Sequence, residues 1–137
     1  IDHSAGTELL PFCDAENIGV YLGGPYASGI LASNPDIETD LTTRYNYAKA
    51  SPDILGRARK LNRICQRYGV PLKAAALQFG LAHPAVVSTV PGARNPDETK
   101  ENVRMALAPI PVDLWNEMKA ERLIEEEAPV PYGEDRN

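Results

Sequence analysis

The sequence has 137 residues, of which 43% are hydrophobic and 24% charged, and its formal net charge is −5. This composition is typical of a globular protein with one modest domain. The negative charge argues against a nucleic-acid surface, which needs clustered Lys and Arg, and the chain lacks the roughly 18 consecutive apolar residues of a membrane span.

The first part of the chain predicts one helix, one strand and one long loop. Residues 3–17 have the pattern of a helix with Ser4 as its N-cap and Asn17 at its end. The apolar side of this helix contains Leu9, Leu10, Phe12 and Cys13. Residues 18–22 are a short apolar run, typical of a strand buried on both faces of a parallel sheet. Residues 25–50 show little periodicity and are interpreted as one loop.

The middle of the chain predicts two helices followed by a second strand. Ser51 as N-cap and Pro52 at the first helical position begin a helix that Gly69 closes. A second helix is expected over 72–82, where it ends before a His-Pro pair. The β-branched run 86–90 predicts the second strand.

The last part predicts two more helices and a tail. Asn95 and Glu98 begin a helix in the manner of a capping box, and a final helix is expected over 113–123. Residues 125–137 are acidic and contain prolines, so we expect a flexible tail after a packed unit over 1–124. The alternation of strands and helices predicts a parallel α/β sheet. Since two parallel strands cannot bury both faces, either a partner or the rest of a larger sheet is expected.

The cysteines and histidines do not predict a catalytic or metal site. Cys13 and Cys65 lack metal-ligand spacing and lie in helix-like segments, so we expect reduced thiols in a cytoplasmic protein. His83 is interpreted as a helix end, and His3 has no evident partner in the sequence. The chain begins with Ile1 rather than Met, which favours a fragment, a processed piece or an incomplete gene model.

Three blocks of sequence share the pattern of a known family. They are GGPYASGIL at 23–31, AAALQFGLAHP at 74–84, and VVSTVPGARNPDE at 86–98 with a Glu-Asn pair at 101–102. In this order they resemble the turn after the seventh strand, the helix before the eighth strand, and the eighth strand with its cofactor loop and helix in aldo-keto reductases. The segment PVDLW at 111–115 also matches, so the resemblance covers nearly the whole chain before the tail.

The resemblance implies a fold class and a branch of the family. The chain would be α/β, the C-terminal portion of a (β/α)8 TIM barrel with its last two strands and the surrounding helices. Its missing partner would then be the N-terminal part of the barrel. The Gly-Gly-Pro turn and the segment RYNY at 44–47 are most similar to the sugar dehydrogenase branch, which contains D-threo-aldose and L-fucose dehydrogenases, with pyridoxal dehydrogenase as a near relative.

The resemblance further implies a dinucleotide site, because barrel enzymes place their chemistry on the loops that follow the strands. Glycines let a phosphate approach the backbone, Ser28 can donate its hydroxyl, and the helix begun by Asn95 offers unpaired N–H groups. Each segment taken alone can also be interpreted as an ordinary tight turn. The cofactor-binding residues implied are Gly24, Pro25, Tyr26, Ser28, Gly29, Leu31, Gly92, Ala93, Arg94, Glu98 and Asn102.

The residues after the second strand favour NAD over NADP. Where NADP-using members of the family carry a lysine and an arginine, this chain has Gly92 and Glu98. Asp97 and Glu98 would repel a 2′-phosphate, whereas a carboxylate suits a ribose 2′-hydroxyl. Arg94 leaves NADP open, because a guanidinium can bind phosphate or stack on adenine, and the acids also suit a helix N-terminus without any ligand. Asn102 lies one turn after Glu98, where adenine is within its reach.

The resemblance assigns no catalytic residue to this chain. The family's Tyr, Lys, Asp and His, which act in general acid–base chemistry, lie on the first four strands and match nothing here. We therefore interpret the chain as a fragment of an NAD(P)-dependent oxidoreductase that acts on a small sugar or aldehyde, specifically an aldose 1-dehydrogenase. The alternative is a non-catalytic truncated barrel that serves as a binding or structural module. A channel β-subunit of the same fold is disfavoured by the sugar-dehydrogenase-like turn.

Overall fold

The computed structural model describes residues 1–33, 44–45 and 48–131. These residues form five α-helices and four short strands, together with two 3-10 helices at Ser4–Gly6 and Ala27–Gly29. The α-helices are α1 (Leu9–Ala15), α2 (Pro52–Arg67), α3 (Leu72–Leu81), α4 (Pro96–Leu107) and α5 (Val112–Ala120). The strands are β1 (Val20–Gly23), β2 (Arg44–Tyr45), β3 (Ala48–Lys49) and β4 (Val86–Val90).

The two predicted strands pair in parallel, which confirms the predicted α/β class. β1 lies beside β4, with a register shift between Val20 and Tyr21 and with Gly23 opposite Val90. β4 has the predicted bounds, whereas β1 begins two residues later than predicted. The carboxyl ends of the two strands therefore lie side by side, and the segments that follow them leave the sheet at one edge.

The segment 25–50 is not the single irregular loop that the sequence predicts. It contains the 3-10 helix Ala27–Gly29 and the antiparallel pair β2–β3. Backbone hydrogen bonds explain the difference, because a short ladder needs no hydrophobic periodicity to form. Residues 34–43 and 46–47, which include half of the RYNY segment, lie outside the described residues.

The segment 3–17, predicted as one helix, forms a 3-10 helix followed by α1. Ser4 is not an N-cap, because it is the first residue of the 3-10 helix, and the N-cap position of α1 belongs to Glu8. α1 begins two residues before Pro11, which places this proline in the first turn, where its missing N–H has no partner within the helix to lose. Asn17 ends the helical segment as predicted, with a φ of +54°.

α1 turns only part of its apolar side inward. Leu10 and Cys13 are buried, whereas Leu9 and Phe12 are exposed by 56% and 59%. The two pairs form adjacent rows on the helix surface, and within the described residues only the first row is covered. Of the four residues on the predicted apolar side, two therefore belong to the core.

The two capped helices lie where the sequence predicts them. The Ser51 side chain accepts a hydrogen bond from the backbone of Ile54 at 3.3 Å, and α2 begins at the following proline. Gly69 ends this helix with a φ of +65°, a conformation that favours glycine. The Asn95 side chain caps α4 by accepting from the backbone of Glu98 at 2.9 Å. These caps explain the start of each helix.

The core lies among helices α2, α3 and α5 rather than between the strands. Trp115, Leu114 and Met118 of α5 are almost completely buried. Burying a large side chain contributes about 1.5–3 kcal/mol to folding, so these contacts hold the three helices together. Other buried residues of the same cluster are Ile30, Leu31, Ala58, Leu61, Ile64, Cys65, Leu72, Ala74, Ala75, Leu123, Ile124 and Val130.

The segment 125–137, predicted to be a flexible tail, begins in contact with this core. Val130 is buried in the cluster, and the backbone of Ala128 donates to Glu125 at 3.1 Å. Residues 132–137 lie outside the described residues, so flexibility at the end of the chain stays a prediction.

One face of the parallel pair has no cover within the described residues. The other face meets α3, where a Cβ built on Gly80 would lie 2.6 Å from Leu22 Cδ2. Because side chains alternate along a strand, Tyr21 points away from α3, and it is exposed by 73%. Val90 is exposed by 57%. The uncovered apolar face agrees with the prediction that two parallel strands need further structure.

The described part of the chain contains neither a membrane-spanning helix nor a metal site. No helix there is long and apolar enough to cross a membrane. Nor do the same residues contain a group of three or more His, Cys, Asp or Glu side chains that could hold a metal ion.

Candidate functional site

The predicted site residues lie on two neighbouring segments. We call residues 24–31 the first loop and residues 91–95 the second loop. Both begin at the same edge of the sheet, since Gly23 pairs with Val90 in the parallel register. The sheet thus brings together residues that are about 65 positions apart in the sequence, including the start of α4.

The first loop follows an unusual backbone path. Gly24, Ala27, Ser28 and Gly29 all have positive φ, with values of +62°, +48°, +60° and +97°. For Ala27 and Ser28 this conformation costs on the order of 1–2 kcal/mol each. Short hydrogen-bonded turns maintain it, among them Ala27 N–H to the Gly24 carbonyl at 3.0 Å. Strained backbone of this kind motivates a functional hypothesis.

Exposure divides the predicted residues of the first loop into two groups. Gly24, Ser28 and Gly29 are exposed, and a Cβ built on either glycine would meet nothing within 4 Å. Tyr26 and Leu31, in contrast, are buried. A ligand at this edge can therefore approach the glycines and Ser28, whereas the two buried side chains belong to the packing beneath the loop.

An ion pair joins the second loop to the first turn of α4. The Glu98 carboxylate accepts from the Arg94 backbone N–H at 2.7 Å, from Nε at 3.0 Å and from Nη2 at 2.7 Å. These bonds lower the pKa of Glu98 and raise that of Arg94. The side chain of Arg94 is 90% exposed, so the pair lies at the surface, beside the start of α4.

A buried hydrogen bond connects the two loops. The Tyr26 hydroxyl donates to Asn102 Oδ1 at 2.8 Å, and Asn102 Nδ2 donates to the Gly92 carbonyl at 3.4 Å. Burial and the nearby charge of Glu101 raise the pKa of Tyr26 to about 12. Tyr26 is thus a neutral donor at physiological pH, which does not suit a general acid near neutrality.

A lysine that the sequence analysis missed completes this connection. Lys73 of α3 places Nζ 5.3 Å from the centre of the Tyr26 ring, within the range of a cation–π contact. The same atom lies 2.7 Å from Glu101 Oε2. We call Tyr26, Lys73, Glu101 and Asn102 the loop clamp. The pattern of the sequence carries no signal for Lys73, because its two partners lie far away along the chain.

The residues at this edge of the sheet are of the kind that binds an anion. Gly24, Gly29 and Gly92 leave open space above the backbone, and the second loop leads into the N-terminus of α4. Backbone N–H groups and the positive end of a helix bind phosphates without a charged side chain. The residues present therefore fit a dinucleotide phosphate.

Comparisons with known proteins confirm the resemblance stated above. The model of the aldo/keto reductase family matches residues 2–121. The chain is 36% identical over 124 residues to pyridoxal 4-dehydrogenase of Microbacterium luteolum, covering 90% of this chain and 35% of that protein. It is 34% identical over 124 residues to D-threo-aldose 1-dehydrogenase of a Pseudomonas species, covering 90% of this chain and 37% of that protein.

One solved structure resembles this chain over nearly its whole length. The aldo-keto reductase AKR11C1 from Bacillus halodurans, in its holo form, superposes with a TM-score of 0.62 at 26% identity. The match covers 99% of this chain and 42% of that protein. The chain thus spans about a third of the length of the two curated relatives and somewhat more of this structure.

Proposed function

The chain belongs to the aldo/keto reductase family, and we propose that it supplies the dinucleotide-binding part of an NAD(P)-dependent oxidoreductase. The observation that carries the proposal is the meeting of the first loop and the start of α4 at one edge of the sheet. One loop offers glycines with open space above them, and the other leads into a helix N-terminus. Together they suit the two phosphates and the adenosine of a nicotinamide dinucleotide.

The proposed roles follow from exposure. Gly24, Gly29 and Gly92 allow the pyrophosphate to approach the backbone, and Ser28 adds a hydroxyl. The remaining exposed or half-buried candidates, Pro25, Ala93, Arg94 and Glu98, line the rim of the same edge. The buried side chains of Tyr26, Leu31 and Asn102 serve the site through the position of the loops.

The proposed cofactor preference is for NAD over NADP. Arg94 is the basic side chain of the second loop, and three hydrogen bonds already join it to Glu98. A 2′-phosphate would have to displace a carboxylate from the guanidinium and then lie beside that carboxylate. A ribose 2′-hydroxyl meets neither obstacle and can donate to a carboxylate.

The proposed reaction is hydride transfer between the nicotinamide and the anomeric carbon of an aldose. Similarity to D-threo-aldose 1-dehydrogenase supports a sugar substrate. The slightly higher identity to pyridoxal 4-dehydrogenase supports, as a second candidate, a small aromatic aldehyde or alcohol. The bound dinucleotide supplies the hydride acceptor or donor, and the residues of this chain hold and orient it. Acid–base groups would lie in the part of the relatives that the chain does not match.

Cofactor titration of the full-length protein tests this proposal. We expect NAD to bind more tightly than NADP, and we expect Glu98→Gln to lower the NAD-to-NADP preference about tenfold, or about 1.4 kcal/mol. The reason is that the variant removes the negative charge beside Arg94. Glu117→Gln is the matched control, because Glu117 also pairs with an arginine, Arg67, but does so between α2 and α5.

Two outcomes would contradict the proposal at different levels. A full-length protein that binds neither dinucleotide would exclude the dinucleotide-binding role itself. Tighter binding of NADP, unchanged by Glu98→Gln, would leave that role intact and refute the assigned preference.

A further inference from the structure

We propose that Tyr26 and Asn102 are positioning residues, whose buried hydrogen bond makes the two loops move and bind as one unit. The ligand named in this inference rests on the proposed dinucleotide function, whereas the coupling between the loops rests on the contacts alone. Neither side chain needs to touch the ligand for this role. Loss of the bond should therefore loosen the loop that does not carry the substitution.

The position of the bond makes the coupling possible. The parallel ladder ends at Gly23 and Val90, and beyond this pair the two chains diverge into their loops. Tyr26 follows Gly23 by three residues and reaches across to Asn102 on α4. Asn102 in turn donates to the carbonyl of Gly92 in the second loop. One amide thus connects the first loop, the second loop and α4.

Burial makes this connection hard to break. Tyr26 is exposed by 8% and Asn102 by 6%. A buried hydroxyl or amide that loses its partner carries the full cost of its desolvation, which exceeds the net value of one hydrogen bond. Opening either loop separately would leave such groups unpaired. The two loops are therefore more stable when they remain together.

The other two residues of the loop clamp restrict the motion of Tyr26. Lys73, whose side chain is 15% exposed, lies over the ring at 5.3 Å and is held at 2.7 Å by Glu101. Glu101 precedes Asn102 on α4, so the ring and the hydroxyl of Tyr26 are both tied to neighbouring residues of that helix. This arrangement orients the phenol towards the amide.

The same contacts give Asn102 a role in positioning the loops, beside the contact with adenine that the resemblance predicts. Its Oδ1 and Nδ2 atoms bond to Tyr26 and Gly92, and the residue is 6% exposed. A ligand that orders one loop will order the other as well, because the Asn102 amide bonds to both loops. A site whose loops are already held together loses less conformational entropy when the ligand binds.

The first test uses Tyr26→Phe in the full-length protein, with Tyr68→Phe as the matched control. Tyr68 is a half-buried tyrosine whose hydroxyl bonds to Glu117, away from both loops. Without ligand, we expect amide hydrogen exchange over residues 92–94 to become about tenfold faster in Tyr26→Phe and to stay unchanged in the control. We also expect the dissociation constant of NAD to rise about tenfold in Tyr26→Phe alone.

The second test is a double-mutant cycle with Asn102→Leu. If the bond couples the loops, the double variant Tyr26→Phe/Asn102→Leu should bind NAD no more weakly than the single variant that has the lower affinity for NAD. Additive losses, or faster exchange confined to residues 24–31, would overturn the inference. If the unmodified protein binds no NAD, the proposed function fails, and the exchange over residues 92–94 still decides whether the loops are coupled.

Discussion

At the residue scale, burial sets the chemistry of several side chains in ways that residue type does not reveal. Cys65 and Tyr26 are examples, since their neighbours exclude water and disfavour the ionised forms. The sequence suggests an inert thiol at Cys65, because that residue falls on the apolar side of a helix. It marks Tyr26 only as part of a loop, since its partner Asn102 lies 76 residues away.

The thiol of Cys65 leads to a prediction about alkaline pH. Burial raises its pKa from 9.0 to about 12, so the folded state holds this proton more tightly than the unfolded chain does. Its contribution to stability is therefore complete below pH 9 and is lost as the pH rises from 9 to 12, by at most about 1.4 kcal/mol per pH unit. Urea unfolding of the full-length protein between pH 7 and 11 measures this loss.

Cys65→Ala is the control for this prediction. The variant should be less stable at pH 7 because it removes a buried side chain, yet its stability should fall less steeply between pH 9 and 10. Equal slopes for the two proteins would show that the thiol does not cause the loss. The fall attributed to Tyr26, between pH 10 and 12, should remain in the variant.

At the element scale, caps and prolines explain which helices were predictable. α2 and α4 each begin with a capping side chain followed by a proline, and both signals act within one turn of the chain. α1 has no side-chain cap hydrogen bond, and its start depends on where Pro11 can be tolerated. The apolar pattern, together with Ser4 as the predicted N-cap, placed that start several residues too early.

The cap of α4 gives a prediction that separates stability from binding. Asn95→Ala removes the bond to the Glu98 backbone and should destabilise the protein by about 1 kcal/mol. It should also weaken dinucleotide binding, because the start of α4 belongs to the proposed site. Thermal unfolding and an NAD titration measure the two effects.

Ser51→Ala provides the comparison at a second capped helix. It removes the equivalent bond to the Ile54 backbone and should cost a similar free energy of unfolding. Because Ser51 belongs neither to the two loops nor to α4, NAD binding should not change. Equal losses of binding in the two variants would argue that stability, and not the start of α4, controls affinity.

At the scale of the whole molecule, the helices α2, α3 and α5 are well packed, whereas one face of the β1–β4 sheet has no cover within the described residues. Apolar residues outside the core remain exposed on the strands and on the outer sides of the helices. The large ones are Leu9, Phe12, Ile18, Tyr21, Val87, Val90, Val103, Leu107 and Val112. Exposed apolar patches and open strand edges favour association with other structure.

This distribution predicts the behaviour of residues 1–137 when they are produced alone. We expect an oligomeric, molten or insoluble protein, because both strands of the sheet have an open edge within the described residues and the face that carries Tyr21 lacks cover there. Sedimentation velocity and differential scanning calorimetry measure the state of association and the cooperativity of unfolding. A monomer with a sharp cooperative transition would refute this expectation.

Local chemistry in the sequence determined the positions of α2, α4 and β4, whereas the resemblance to aldo-keto reductases implied that two loops belong to one candidate site. Caps, prolines and β-branched runs act over a few residues, so they can be recognised without knowledge of the fold. Only the tertiary structure decided that Asn102 bonds to Tyr26 and that Lys73 joins them. Both contacts cross between elements, and their geometry depends on the packing of helices on a parallel sheet.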